Sequence, residues 1–148
     1  MLKSQNSMKS NLLSFNVSQM IKYAQMYKES RDQIDWIKII NLDGLSAPTY
    51  IQVIDDVDNK NEVAYAVWGW EQNDNELRFG KIEVKDESLQ KNGVGTTIMQ
   101  LVIVIAKFYN ASRITGTIAG DKYLWHWYAK LGFTIHDQNK LLMEFSNS

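Results

Sequence analysis

The sequence predicts an α/β (α+β) fold made as one domain, a mixed central sheet of about six to seven strands with about four helices in the order (β)ααβββαβαββ. Three observations carry this expectation. Apolar residues recur at helical spacing before Thr49 and alternate after it. Residues 90–109, QKNGVGTTIMQLVIVIAKFY, run from two closely spaced glycines, Gly93 and Gly95, into a long apolar segment. The chain of 148 residues suffices for one core, burying about two-thirds of the surface that the unfolded chain exposes.

Residues 1–10 are polar and expected to be loose, and residues 12–15 suggest a first short strand. In residues 17–28, Val17, Met20, Ile21, Ala24 and Tyr27 fall on one helical face, with Asn16 or Ser18 as the cap. Residues 31–40 repeat the pattern through Ile34, Ile37 and Ile40, which predicts a second helix. A loop with Gly44 and the single proline, Pro48, separates these helices from residues 50–55, 63–71 and 77–84. Those three alternate as strands of a β-meander, joined by polar turns at 58–61 and 73–75. Gly80 within the third strand marks a bulge, and Trp68 and Trp70, two apart on one strand face, read first as core.

Residues 101–106, LVIVIA, have the composition of a strand. The uninterrupted segment 95–109 is nevertheless fifteen residues long, which suits a helix of about four turns. A strand at 113–118, a helix at 120–131 and two closing strands at 133–137 and 141–145 complete the order.

Charge and composition exclude several classes of function. Sixteen basic and seventeen acidic residues leave a net charge of −1, and no Lys/Arg cluster forms a stripe for nucleic acid. The absence of cysteine removes thiol catalysis and cysteine-based zinc sites, and His126 and His136 make a poor metal pair, so no metal is expected. The N-terminus lacks a signal-peptide core, and no apolar run approaches the ~20 residues of a membrane span. The expected location is cytoplasmic, and abundant Asn, Ile and Lys suggest an AT-rich bacterial genome.

The glycine segment has the chemistry of an anion site. The first amides of a helix lack intrahelical partners, the helix dipole adds positive character there, and glycine lets a phosphate approach the backbone. Lys91 adds a charge. By itself such a glycine pair usually marks only a turn, and neither a third glycine for a dinucleotide fingerprint nor the Gly-Lys-Ser/Thr of a P-loop follows.

The spacing Gln90-x-x-Gly93-x-Gly95 after a strand resembles the pyrophosphate loop of the GNAT (GCN5-related N-acetyltransferase) superfamily, and residues 127–133, WYAKLGF, resemble the segment that closes its fourth helix. The predicted order of elements resembles the GNAT fold along essentially the whole chain, implying one N-acetyltransferase domain over residues 1–148. The resemblance implies transfer of an acetyl group from acetyl-CoA to a primary amine of a small molecule or peptide. Coenzyme A contacts are then expected at Ile82, Glu83, Val84, Gln90, Lys91, Asn92, Gly93, Val94, Gly95 and Thr96, with the strands at 77–84 and 113–118 splayed to admit the pantetheine arm. Asp121, Trp125 and Tyr128 share a helix face turned to the cofactor. Asp121 stands where the family often has asparagine and reads better as a helix cap. Tyr128 matches the tyrosine that protonates the departing thiolate, a role for which a phenol with a pKa near about 10 is suited.

A base should deprotonate the amine. Glu83 is the candidate, although no motif singles it out from Asp86 and Glu87, and Gly80 stands near the position where the family often carries glutamate. The first two helices would build the acceptor site, with Asp32, Asp35 and Trp36 receiving a cationic amine. Apart from the amine, a second copy of the chain in a homodimer is the partner considered. A non-catalytic acyl-CoA-binding or partner-binding module of the same fold is the alternative function, and a tRNA-acetylating toxin fits the near-neutral charge less well.

Overall fold

A computed structural model describes residues 12–30, 33–58, 60–119, 123–136 and 139–145. Along the chain they form β1 (Leu12–Asn16), α1 (Val17–Ser30), α2 (Trp36–Ile39), β2 (Tyr50–Ile54), β3 (Glu62–Glu71), β4 (Glu76–Val84), α3 (Glu87–Lys91), α4 (Val94–Phe108), β5 (Arg113–Thr117), α5 (Tyr123–Lys130), β6 (Thr134–His136) and β7 (Lys140–Glu144). The strands make one seven-stranded mixed sheet in the order β1-β2-β3-β4-β5-β7-β6. The expected α/β domain is present, with one additional short helix, α3, between the meander and the glycines.

Helix α1 starts where a reciprocal cap fixes it. The Asn16 side-chain oxygen accepts from the Gln19 amide at 2.8 Å, and the Asn16 amide donates to the Gln19 side chain at 2.9 Å. Ser18, the other expected cap, instead bonds Asp56 through both its amide and its hydroxyl. The buried face is Met20, Tyr23 and Ala24, whereas Ile21 is 39% exposed. The helix is rotated relative to expectation because the Tyr23 ring packs edge-on against both Phe15, at 5.8 Å, and Trp36, at 5.6 Å.

The second helix is shorter than residues 31–40 suggest. Residues 31 and 32 lie outside the described residues, and Asp35 caps a single turn, accepting from the Lys38 amide at 3.3 Å. Aspartate competes for backbone donors inside a helix and favours the cap. With one long helix between them, β1 and β2 run parallel, Leu12 opposite Tyr50 and Asn16 opposite Ile54.

The long apolar segment is helix α4, and its surroundings explain its composition. It contacts β3, β4 and β5 as well as α1, α2 and α3, so apolar residues are buried all round it. Its β-branched side chains, Val102, Ile103 and Ile105 among them, fill this layer. Each such side chain contributes about 1.5–3 kcal/mol when fully buried.

Two irregularities in the sheet shape the site. Between β3 and β4 the register moves from Val67–Lys81 to Trp68–Phe79, which leaves Gly80 unpaired as the expected bulge. A Cβ at residue 80 would stand 3.1 Å from the Val67 carbonyl oxygen. Between β4 and β5 the parallel pairing covers Glu76–Arg113, Leu77–Ile114 and Arg78–Thr115. Beyond it β4 stays on β3, while Gly116 and Thr117 pair with Leu141 and Lys140 of β7. The two strands therefore diverge.

Glu76 pins the closed end of this divergence. Its carboxylate accepts from Arg78 Nε and Arg113 Nε, each at 2.7 Å, and from the Thr115 hydroxyl at 3.0 Å. Burial opposes ionisation of this carboxyl, but the hydrogen bonds from Arg113, Arg78 and Thr115 outweigh it and hold the group below the ordinary carboxylate range. Trp68 is buried in the core, and Trp70 is half-buried with its indole N–H on the Pro48 carbonyl at 2.9 Å.

Candidate coenzyme and acceptor clefts

The glycine segment places three backbone donors at the open end of the sheet. Gly93 caps α4 with φ 76°, a left-handed conformation that glycine adopts without a steric cost. The Thr97 amide bonds the Gly93 carbonyl at 3.0 Å and the Thr97 hydroxyl bonds it at 2.9 Å, closing the first turn. The amides of Val94, Gly95 and Thr96 precede that bond and have no intrahelical partner. The amides of Asn92 and Gly93 differ, since they bond the carbonyls of Leu89 and Gln90. Gln90 and Lys91 belong to α3 rather than to a loop, because Asp86 caps a turn there through the Ser88 amide at 2.9 Å.

A cavity of ≈ 390 Å³ opens over these amides, lined by Ile82 and Val84 of β4, Gln90, Gly95, Thr96, and Leu124 and Trp127 of α5. Its walls are tied together. Gln90 Nε2 donates to the Val84 carbonyl at 2.9 Å, and Trp127 Nε1 donates to the Thr96 hydroxyl at 2.9 Å. Five of the expected coenzyme contacts, Ile82, Val84, Gln90, Gly95 and Thr96, thus meet at one place. Lys91 and Asn92 are exposed beside it, and Val94 contributes its amide with its side chain in the core.

The other expected residues are distributed differently. Glu83 alternates with Ile82 and Val84, so it faces the opposite side of β4 and pairs with Lys81 at 3.6 Å. Tyr128 is 6% exposed, packed on Trp127 at 4.8 Å and Phe133 at 5.9 Å. Burial pushes its phenol above the ordinary tyrosine value. The sealed side-chain atoms without a hydrogen-bond partner among the described residues are the indole nitrogens of Trp68 and Trp125, and the Tyr128 hydroxyl is not one of them. Trp36 is buried in the core, and Asp35 lies with it beside Val104, Lys107 and Phe108 at the far end of α4. From Thr96 to Lys107 the helix rises roughly 16 Å, so the structure does not bring Asp35 and Trp36 to the glycines. Asp32 and Asp121 lie outside the described residues.

Leu124 and Trp127 are the lining residues that the sequence did not single out as coenzyme contacts. Their spacing of three did show a shared helix face. Which layer that face met depends on tertiary packing of α5 beside α4.

A second cavity, ≈ 590 Å³, lies where β4 and β5 part, reaching from Arg78 and Gly80 across Thr115 and Thr117 to His136 and Lys140. Thr117 stands opposite Lys140, and Lys140 opposite His136. Along β7, Lys140 alternates with buried Leu141, so this row faces away from the core and from the cleft at α4. The two cavities approach the parted strands from opposite faces of the sheet.

Several solved structures of acetyltransferases share this fold. An acetyltransferase from Bacillus cereus ATCC 14579 aligns over 75% of this chain and 87% of its own, with a TM-score of 0.54 and 16% identity. A Bacillus subtilis acetyltransferase in complex with CoA aligns over 60% and 73%, at 0.50 and 21%. Nourseothricin acetyltransferase aligns over 59% and 60%, at 0.50 and 19%, so the alignment spans less than two-thirds of that protein. None of the curated proteins compared with the chain matches it. The model of the acetyltransferase (GNAT) family matches residues 18–133, and the chain belongs to that family. Among the described residues no helix is long and apolar enough to cross a membrane.

Proposed function

We propose that this chain is one cytoplasmic acetyl-CoA-dependent N-acyltransferase domain acting on a primary amine. The observation that carries the reading is the divergence of β4 from β5 beside the three unpartnered amides of Val94, Gly95 and Thr96. Acetyl-CoA, when bound, supplies an acyl thioester as the electrophile. The residues present suit it: the helix amides receive the pyrophosphate, and the apolar wall of Ile82, Val84, Leu124 and Trp127 suits a pantetheine arm. Gln90 keeps the strand end in register with the helix. The Bacillus subtilis structure of this fold is a complex with CoA, which supports CoA as the type of donor.

The amine enters from the opposite face, past Gly80, and must lose a proton to attack. Glu83, the expected base, does not line either cleft, so water in the groove carries that proton away. A new C–N bond forms as the C–S bond breaks, and Tyr128, packed against the Trp127 wall of the donor cleft and kept protonated by its burial, returns a proton to the departing sulfur.

A thermal melt tests the donor site. Acetyl-CoA at a hundredfold its dissociation constant adds about 2.7 kcal/mol, a shift of roughly 5–10 °C for a domain of this size, whereas ADP and pantetheine alone give less. No shift at saturation would sink the reading. A substitution tests the phosphate position. A Cβ at Gly95 would make ordinary contacts, 3.5 Å to Val84 and 3.7 Å to Trp127, so Gly95→Val folds and pushes its methyl groups into the cleft. We expect CoA affinity, measured by calorimetry, to fall at least about tenfold. Gly93→Val is a poorer test, because φ 76° strains any β-branched residue there.

A further inference from the structure

We propose that the groove behind the parted strands selects an acceptor carrying an anionic group, a carboxylate near its amine, and that Lys140 is the residue that holds it; this rests on the placement of the acceptor given above. The groove has apolar walls at Phe79, Leu141 and Leu142, and the charged side chains that line it are cationic. Lys140, Thr117 and His136 are cross-strand neighbours on one face, and no carboxylate of a described residue lines the cavity. Arg78 also borders it, but its guanidinium is committed to Glu76 at 2.7 Å, Glu71 at 3.6 Å and Asp74 at 4.0 Å. Lys140 has no ion pair among the described residues and is exposed to the groove's solvent.

A polyamine or other cationic acceptor would meet the Lys140 ammonium with no carboxylate of a described residue lining the groove beside it, a like-charge arrangement that selects against such partners. A carboxylate would instead receive a charge-assisted hydrogen bond from the ammonium. Thr117 and His136, on either side of it, supply further polar contacts. With the carboxylate at Lys140, the amine of an amino acid or of a short acidic molecule extends along the groove toward Gly80 and the opening to the donor cleft. The sequence had suggested acids between α1 and α2 as receivers of a cationic amine, but Asp35 sits at the other end of α4.

The test uses calorimetric titration of the whole chain with N-acetylglycine, N-acetyl-leucine and N-acetylphenylalanine, each against its neutral primary amide. We expect at least one acid to bind tenfold or more tightly than its amide, with CoA present or absent. Lys140→Gln should bring that ratio near one, and Lys140→Glu should invert it. Equal binding of every pair, no binding of any, an unchanged ratio in Lys140→Glu, or displacement of the acid by CoA would each overturn the assignment. Titration with CoA alone reads the donor site separately. Failure of CoA to bind, with the acid still held through Lys140, would remove the transferase reading and leave the anion site standing.

Discussion

Tyr128→Phe is expected to lower the turnover number by about 10²-fold or more, the range usual for loss of a positioned acid, while acetyl-CoA affinity stays within about twofold of wild type. The substitution removes one oxygen from a ring that otherwise keeps its contacts with Trp127 and Phe133. The hydroxyl has no hydrogen bond to a described residue, so folding stability should change little. Because burial raises the phenol's pKa, ionisation of Tyr128 should not limit wild-type activity below about pH 10. Steady-state release of free thiol, paired with calorimetry of CoA binding, separates the effects. Unchanged turnover would remove the acid assignment, and weakened binding with unchanged turnover would make Tyr128 a contact of the cofactor.

The second large effect falls on stability. Glu76→Ala leaves the guanidinium groups of Arg78 and Arg113 facing each other across β4 and β5 and deprives Thr115 of its acceptor. Both arginines are partly exposed and regain water, so the cost is about 2–3 kcal/mol, below that of breaking a fully buried pair. The melting temperature should fall by roughly 5–10 °C at neutral pH. The folded carboxyl has a lowered pKa, so its contribution is present above the unfolded value of about 4.3 and disappears as pH falls through the lower folded value. Wild type and variant should therefore converge in denaturant titrations as the pH falls below about 4. A constant difference down to pH 2 would mean that charge at Glu76 is not the cause.

Much of this architecture could be read from local chemistry. Asn16 had the side chain of a cap, Gly80 had no reason to lie in a strand except at a bulge, and the length of the 95–109 segment outweighed its β-branched composition. The failures have a common physical origin. Ile34 carried a helical period backwards past Asp35, which instead starts the helix as its cap, because a spacing pattern does not record which residue wins the backbone donors. Likewise nothing local marked Trp127 as a wall of the cleft, because its partner, Thr96, lies 31 residues away. The glycine motif marked the turn whose residues line the cleft at α4, whereas the groove of Thr117, Lys140 and His136 exists only once β5, β6 and β7 are paired. No short stretch of sequence contains it.

The burial of α4 on its sheet side and its helix side bears on how a ligand would be received. A surface helix frays at its first turn, and a ligand bound there must order the chain before holding it. Here Val94 and Thr97 are locked in the core, so the donors of Val94, Gly95 and Thr96 stand in position beforehand. Little conformational entropy remains to be lost when an anion arrives. Because opening that turn requires displacing a helix on which the sheet and α1 both pack, an occupied cleft would resist unfolding of the whole domain rather than quieten a single loop.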